Sequence, residues 1–510
     1  MNFAAKLVKN HVECNKNPKF VVQQSNFSTM KKHLILIATF AMMFLASFGQ
    51  ETTKTEKPYL LKVKMKETDC FRCVQGQITM RDLSEVADVE IVFNGLNDKT
   101  INQFLKTNAL EYVKGNDDFK IISDKEEYAR LNTIPSVSEG HLLDCKGKEI
   151  MVFQFRLDKP TQDRLNAIKT KGKALIQKDP ITLQTDYNNS GIDFSVQGNQ
   201  FVLCNSPMNL CQIFNSRGEL VREIDGNFVD PSDVFPELKE LDSMMMKSLK
   251  NSGFYSSTIE DAFINWNEIW VGYSVSCPRV EDGSVYLPSH YQLLSYPLSD
   301  TTQNFKVIFD TRPYDVTTMD FDHLDEGTMT FLHNTYTVLQ KYKQEGQSIY
   351  NQAICEVRND SLILKDEHPV NYPEFEQEML WYKPKLKDGL LNLAFTEYLV
   401  DIQTDTVFNL PFRYNTKIED YGGFNVKMTQ DARLVDWAFD GETLGVIYYD
   451  LGEDNKMEKC HYLVWQNGQT DFTDKEITLP DGAVGNLKMV LPDVAYYLTT
   501  DNRVGTMVLE

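Results

Sequence analysis

Residues 181–510 contain repeated clusters of short alternating strands, and this pattern constrains the fold more than any other feature of the chain. In the clearest cluster, residues 192–224, four apolar-polar strands follow one another across turns rich in Gly, Asn, Ser and Pro. Comparable clusters run through residues 262–309, 319–364, 390–412, 426–479 and 487–509. Six antiparallel units of this kind predict an all-β propeller with six blades, because radial repetition hides the edges of the sheets.

Residues 58–172 follow a different order, in which strands and helices alternate. The pattern predicts strands at 60–66, 88–93 and 119–122, helices at 70–86, from 97 and at 124–131, a hairpin at 141–155, and a helix opening near Pro160. The second helix places Ile101, Phe104 and Leu105 on one face, and the last helix carries Leu165 and Ile168 inward. The chain is therefore predicted to be multidomain, with an α/β domain ahead of the propeller.

Cys70 and Cys73 lie where the first strand of this domain leads into its first helix. A helix N-terminus stabilises a thiolate, and a second sulfur one turn away can resolve a mixed disulfide. Placed at the start of a helix within a strand-helix-strand unit, the two cysteines are suited to thiol–disulfide exchange. They form the candidate catalytic pair.

The ordered set of elements in residues 58–172 resembles the thioredoxin fold. The stretches 123–129, 134–135 and 142–148 are similar to the envelope-resident thioredoxin and peroxiredoxin-like branch of that family. The resemblance implies that Cys70 is the attacking thiolate, that Cys73 resolves, and that Pro135 is the cis-proline that helps a partner chain to dock. The sequence departs from the family at Asp69, where an aromatic residue is usual.

The local charges around the cysteines oppose one another. Asp69 and Glu67 disfavour a thiolate on Cys70, whereas Arg72 and the helix dipole favour it. Helix-end effects are worth about 0.3–1 kcal/mol, so the sequence leaves the net sign open. The segment of residues 136–140 between Pro135 and the hairpin strand is also longer than the family usually has.

The second domain resembles the six-bladed propellers that are common in secreted bacterial proteins. Its first unit, with the stretch 212–224, is similar to NHL-type blades. A thioredoxin-like domain followed by such a propeller is a pairing known in other proteins.

The net charge of the chain and its predicted targeting signal restrict the classes of partner that the protein can bind. The formal net charge of −21 repels nucleic acid and anionic lipid, so neither is an expected partner. Residues 30–49 read as a signal peptide, and residues 1–29 as an over-long gene start that is disordered. We therefore expect an exported protein, periplasmic or extracellular, with no membrane anchor after processing, in a compartment where disulfides persist.

Other features of the sequence carry weaker signals. A helix at 237–250 with Met244, Met245 and Met246 is interpreted as an inter-blade insertion. Cys204 and Cys211 face each other across a loop, either as a local disulfide or as buried thiols. The histidines show no metal spacing, and no phosphate loop, serine-hydrolase elbow or zinc-protease motif occurs, so no metal and no cofactor is expected.

Three functional hypotheses follow from these patterns. In the first, the α/β domain exchanges disulfides with a protein partner carrying a disulfide or a thiol, and the propeller recognises that partner. In the second, the α/β domain is degenerate or holds a fixed structural disulfide, and the protein is a binding scaffold whose propeller channel takes a small ligand. The third, a propeller hydrolase, is disfavoured because it would need a catalytic set from dispersed residues. A zinc site at the cysteine pair is likewise disfavoured, because it would need further ligands.

Overall fold

A computed structural model of the chain describes residues 57–509, apart from gaps between elements, the longest of which are 231–255, 336–348 and 370–384. The predicted signal peptide at 30–49, the stretch 1–29 and the helix predicted at 237–250 lie outside the described residues. Within the part of the chain that is described, no helix is both long and apolar enough to cross a membrane.

The first sheet has five strands in the order β3-β2-β1-β4-β5. These strands are β1 (Tyr59–Lys64), β2 (Ala87–Phe93), β3 (Phe119–Ser123), β4 (Glu139–Asp144) and β5 (Glu149–Gln154). β1, β2 and β3 run parallel to one another, and β4 and β5 are antiparallel to their neighbours. The parallel strands need helical crossovers, which is why strands and helices alternate in this part of the sequence.

Four helices accompany this sheet: α1 (Gly76–Leu83), α2 (Asp98–Thr107), α3 (Lys125–Arg130) and α4 (Lys159–Ile176). Helix α2 begins after Asn97, whose side chain accepts from the backbone N–H of Thr100 at 3.0 Å. Its buried residues are Ile101, Phe104 and Leu105, as predicted. Alternate residues of β1 and β2 point to the same side of the first sheet, and the apolar ones on that side complete the core between the sheet and its helices.

The remaining strands form a mostly β, propeller-like structure with six four-stranded antiparallel sheets. Five sheets are built from successive stretches of chain, between residues 193 and 477. Their strands are β7 (Asp193–Gln197), β8 (Gln200–Asn205), β9 (Leu210–Phe214) and β10 (Leu220–Asp225); β11 (Ser256–Asn265), β12 (Glu268–Ser276), β15 (Ser289–Pro297) and β16 (Lys306–Phe309); β17 (Val316–Asp320), β18 (Thr328–Thr335), β19 (Ile349–Arg358) and β20 (Ser361–Pro369); β21 (Lys385–Lys387), β22 (Leu390–Asn392), β23 (Tyr398–Asp401) and β24 (Val407–Asn409); and β27 (Ala432–Phe439), β28 (Thr443–Leu451), β29 (Met457–Gln466) and β30 (Thr473–Ile477). Two extra hairpins are β13 (Arg279–Glu281) with β14 (Ser284–Tyr286), and β25 (Lys417–Asp420) with β26 (Val426–Thr429).

The prediction of six consecutive blades is corrected to five. The last unit supplies only three strands, which are β31 (Ala483–Leu491), β32 (Val494–Thr499) and β33 (Arg503–Val508). The fourth strand of that sheet is β6 (Ile181–Thr182), which pairs with β33 from the opposite end of the propeller sequence. This pairing joins the two ends of the propeller chain and removes the edge that β33 would otherwise expose.

The first strands of the sheets adjoin one another: β7 lies beside β11 and β31, β21 lies beside β17, and β27 lies beside β31. A buried carboxylate connects three of these strands. Asp436 on β27 accepts from the ammonium groups of Lys385 and Lys387 on β21, each at 2.7 Å, and from the backbone N–H of Met489 on β31 at 2.8 Å. Lys387 also donates to the carbonyls of Trp437 and Met489, at 2.6 and 2.7 Å. The charges thus join neighbouring sheets.

Helix α4 packs on the last sheet of the propeller and connects it to the first sheet. The hydroxyl of Thr506 on β33 donates to the carbonyl of Ala174 at 3.2 Å, and Lys171 pairs with Asp493. On its other side the helix carries Gly172, where an added Cβ would lie 2.7 Å from Val86 and 2.8 Å from the ring of Tyr59. Glycine is needed there because the helix approaches the first sheet so closely.

Candidate functional site

Cys70 and Cys73 form a disulfide on an exposed turn between β1 and α1. The turn closes with a bond from Cys73 N–H to the Cys70 carbonyl at 2.9 Å, and ends with bonds from Gln75 to Arg72 and from Gly76 to Phe71. Gln75 adopts a left-handed backbone with φ 54°. This pair of bonds around a left-handed residue is the Schellman arrangement that terminates a helical turn.

The prediction that both cysteines lie in the first turn of a helix spanning 70–86 is therefore wrong. Because the chain reverses at Gln75, α1 begins only at Gly76, and the sulfurs lie on a separate single turn ahead of it. The dipole of one turn is weaker than that of a full helix, so the helix contributes less thiolate stabilisation than the sequence indicated.

Phe71 anchors the exposed turn in the core. Its side chain is buried, and its ring packs edge-on against Phe155 with 4.6 Å between centroids. An added Cβ on Gly76 would lie 2.6 Å from the same ring, so the glycine makes room for this anchor. Cys70, Arg72 and Cys73 are exposed around it. A buried aromatic residue between two exposed sulfurs fixes the position of the disulfide without covering it.

A loop ahead of β4 lies against the cysteine turn, and Ser138 makes the connection. The backbone N–H of Ser138 donates to Asp69 Oδ2 at 2.5 Å, and its hydroxyl accepts from the backbone N–H of Lys66 at 2.9 Å. The Lys66 ammonium donates to the carbonyls of Ser136 at 2.8 Å and Pro135 at 3.3 Å. Four hydrogen bonds thus join this loop to the segment that carries Cys70.

Pro135 is exposed on this loop, and the peptide bond before it is trans. The cis-proline implied by the family resemblance is therefore wrong at this position. Residues 136 and 137 separate Pro135 from Ser138, whose hydrogen bond to Asp69 is where the loop meets the cysteine turn. Sequence reasoning missed Ser138, and the signal that could have found it was its position directly before β4.

A buried ionic network lies behind the loop. Lys64, at the end of β1, donates to Glu139 at 2.9 Å, to the carbonyl of Ile134 at 2.7 Å and to the side chain of Asn132 at 2.9 Å. Both charged side chains are fully buried. Burial alone would raise the pKa of Glu139, but bonds from Thr133, Lys64 and Ile134 lower it below its ordinary value. The network fixes the base of the loop.

Acidic groups surround one side of the site. Tyr128 lies 5.9 Å below the Lys64 ammonium, and its pKa is raised by burial and then by the charges of Glu67, Asp69 and Glu139. These carboxylates therefore act on the same region as the turn that holds Cys70.

The other described cysteines differ from this pair in exposure. Cys204 and Cys211 are directly opposite each other on β8 and β9, and both are buried. Burial raises the pKa of the Cys355 thiol to about 11 and that of Cys460 to about 12, so both stay protonated near neutral pH. Cys145 is exposed in the hairpin turn between β4 and β5.

A cleft of about 330 Å³ lies between β28–β30 and the last sheet. Its polar lining residues are Asp440, Thr443, Gln466, Lys475 and Asp493. In the described parts of the chain, no group of three His, Cys, Asp or Glu side chains is placed to hold a metal ion.

Comparison with known proteins gives likenesses of fold alone. No family model matches the chain, and no curated protein matches it. Solved structures with a likeness include an acylaminoacyl peptidase in complex with Z-Gly-Gly-Phe-chloromethyl ketone, at 9% identity and a TM-score of 0.27. The matched part covers 60% of this chain and 49% of the peptidase chain, so this chain spans about half of that protein.

Two further likenesses are to a member of the DUF4221 family from Bacteroides vulgatus and to the β-propeller domain of the Trilobed protease from Pyrococcus furiosus. The first has 11% identity and a TM-score of 0.22, and covers 74% of this chain and 87% of the other. The second has 11% identity and a TM-score of 0.23, and covers 48% of this chain and 77% of the other. At these values the comparisons carry no assignment of activity.

Proposed function

We propose that this protein is an exported thiol–disulfide exchange protein whose propeller recognises the partner protein. The observation that carries the proposal is the Cys70–Cys73 disulfide, exposed to solvent on a turn that buried Phe71 fixes to the core. An exposed disulfide between cysteines three residues apart is open to attack by a partner thiolate.

The proposal includes a thioredoxin-like domain at residues 58–172. Its support is the sheet order β3-β2-β1-β4-β5, with three parallel strands and an antiparallel hairpin, and the position of the cysteines just after the central strand. The helix that closes the domain, α4, begins at Lys159 with Pro160 in its first turn.

The exchange proceeds through a mixed disulfide. In the reduced protein, the Cys70 thiolate attacks one sulfur of a partner disulfide, a new S–S bond forms, and the other partner sulfur leaves as a thiolate. The Cys73 thiolate then attacks the Cys70 sulfur, which releases the second partner thiolate and forms the Cys70–Cys73 disulfide. Two electrons pass to the partner, and the reverse sequence oxidises a partner dithiol.

The propeller is the proposed recognition domain. Its support is the direct attachment of α4 to the last sheet of the propeller, which ties the domain that carries the exposed disulfide to that sheet. A partner bound by the propeller would then be presented to the cysteine turn. A small ligand at the propeller channel remains a further proposal.

The second candidate is a secreted binding or scaffold protein with a degenerate thioredoxin-like domain. The observations that favour it are the trans bond before Pro135 and the start of α1 at Gly76, because both remove features that the resemblance implied. In this alternative Cys70 and Cys73 form a fixed structural disulfide, and the propeller alone acts.

Replacing Cys73 by serine is expected to trap a mixed disulfide at Cys70, because the resolving sulfur is lost while the exposed attacking sulfur remains. The measurement is non-reducing electrophoresis and mass spectrometry after exposure of the mature protein to periplasmic extract and to a peptide disulfide. Cys145→Ser is combined with it, since Cys145 is also exposed. The Cys70→Ser variant is the matched control and should trap far less. Equal trapping by both variants, or none with either partner, would favour the scaffold.

A further inference from the structure

Asp69 lies directly before Cys70, and its carboxylate is fixed beside the turn. The backbone N–H of Ser138, a buried residue, donates to Asp69 Oδ2 at 2.5 Å. Ser138 is itself held by Lys66, whose backbone N–H donates to the serine hydroxyl at 2.9 Å. A surface carboxylate normally turns into solvent, where its charge is screened, but this one is held in place by the neighbouring loop.

The other charged groups of the region have different positions. The Lys66 ammonium donates to the carbonyls of Ser136 and Pro135, and the side chains of Arg72 and Glu67 are exposed. Buried Glu139 follows the loop in the chain and accepts a hydrogen bond from the Lys64 ammonium. Tyr128 lies next to that ammonium, with 5.9 Å between the nitrogen and the ring centroid. Asp69 is therefore a charged side chain that lies next to Cys70 and is held in place by a hydrogen bond from the loop ahead of β4.

We propose that Asp69 sets the redox potential of the Cys70–Cys73 couple, by opposing the thiolate on Cys70 and so favouring the disulfide over the dithiol. This inference rests on the proposed exchange function. It adds that the equilibrium between the dithiol and the disulfide is shifted toward the disulfide. A fixed negative charge next to a thiol raises the free energy of the thiolate but leaves the neutral disulfide unaffected. The couple is therefore more reducing than it would be without the charge.

The effect depends on pH in a way that a structural role does not. Below the pH at which the Cys70 thiol ionises, the reduced protein carries no thiolate for Asp69 to oppose, so the charge has almost no influence on the potential. Above that pH the thiolate dominates and the influence is complete. A change in packing would alter the potential by a similar amount at every pH.

The test uses the Asp69→Asn variant in the mature chain with Cys145→Ser as background. Asparagine keeps an oxygen that can accept from Ser138 and removes only the charge. The protein disulfide is equilibrated with glutathione, so that two glutathione thiols reduce Cys70–Cys73 and form one glutathione disulfide. Differential alkylation and mass spectrometry at Cys70 and Cys73 give the equilibrium constant at pH 6 and at pH 9.

We expect the equilibrium constant for reduction to rise about threefold to tenfold at pH 9 in Asp69→Asn, and less than 1.5-fold at pH 6. A tenfold change corresponds to about 30 mV for this two-electron couple. Alkylation of Cys70 at pH 7 should be about twofold to threefold faster, because the larger thiolate fraction is offset in part by lower nucleophilicity. Asp69→Ser is a second charge-free variant with the same expectation.

Two control variants separate this effect from others. Glu67→Gln removes an equal charge at an exposed position and is expected to shift the constant less than twofold at pH 9. Ser138→Ala keeps the charge of Asp69 and the backbone N–H that holds it, but removes the hydroxyl that Lys66 binds, so it is expected to shift the constant at pH 9 in the same direction as Asp69→Asn and by less.

A shift in Asp69→Asn that is equal at pH 6 and pH 9, or no shift at either, overturns the role of Asp69 while leaving the exchange function intact. If the parent protein does not equilibrate with glutathione at all, the proposed function itself fails. The two failures are therefore distinguishable.

Discussion

Replacing Asp436 by asparagine is expected to lower the free energy of unfolding of the propeller by about 3–5 kcal/mol, the usual cost of removing one partner from a buried ion pair. Asp436 is fully buried and receives two ammonium groups at 2.7 Å each. Without its charge, the Lys387 ammonium, which is also largely buried, would lie among carbonyl dipoles with no counter-ion at that position. The contact that joins three neighbouring sheets would keep one accepting oxygen and lose its charge.

The measurement is urea unfolding followed by tryptophan fluorescence, because buried Trp437 follows Asp436 in β27 and its indole N–H donates to the Lys387 carbonyl at 3.0 Å. Asp471→Asn is the matched control, since it removes the same charge from an exposed position near β30. The control should change the free energy by less than about 0.5 kcal/mol. Equal unfolding midpoints for the two variants would contradict the assigned role of Asp436.

The same carboxylate predicts a loss of stability in acid. Burial alone would raise the pKa of Asp436, but the charges of Lys385 and Lys387 outweigh it and hold that pKa well below its ordinary value. A depressed folded-state pKa contributes stability above the unfolded value of about 3.9, and this contribution is lost as the pH falls below that value. The difference between wild type and Asp436→Asn is therefore expected to shrink below about pH 4.

Replacing Lys64 by methionine is the second large expected effect, with a loss of about 3–5 kcal/mol in the first sheet. Glu139 would remain buried without its ammonium partner, and the carbonyl of Ile134 would lose its donor. The double variant Lys64→Met with Glu139→Leu is expected to recover most of the loss, because an apolar pair of similar volume is often as stable as a buried ion pair.

Hydrogen exchange measured by mass spectrometry resolves this prediction, because it compares peptides of β1 and β4 with peptides of the propeller in one experiment. The single variant should lose protection in β1 and β4 and keep it in β28 and β29. Lys120→Met is the control, since Lys120 is exposed and pairs with Glu90 at 2.9 Å. Surface pairs of this kind contribute about 0–1 kcal/mol. Unchanged protection of β4 in Lys64→Met would refute the assigned role of the buried pair.

Features that depend on local sequence were predictable. Asn97 and the apolar spacing of Ile101, Phe104 and Leu105 define α2, and the Gly147 turn defines the β4–β5 hairpin. Each of these signals lies within a few residues of the structure it specifies, so a single sequence contains it. The repeated strands of the propeller were predictable for the same reason.

Features that depend on distant contacts were not predictable. Gln75 carries a left-handed backbone that is typical of glycine, so nothing in its identity indicated that the helix would start after it. The composite sheet joins Ile181–Thr182 to β33, more than 300 residues away, with no local signal for the pairing. The contact of Ser138 with Asp69 likewise joins segments 69 residues apart, and only the fold brings them together.

Equilibration of the unmodified protein with glutathione at pH 7 decides whether Cys70 and Cys73 form a reversible redox couple. We expect both cysteines to pass together between disulfide and dithiol over a range of glutathione ratios, and reoxidation to restore the starting state while the protein stays folded. A disulfide that persists at every ratio, or that opens only when the protein unfolds, would contradict the claim and leave a structural crosslink.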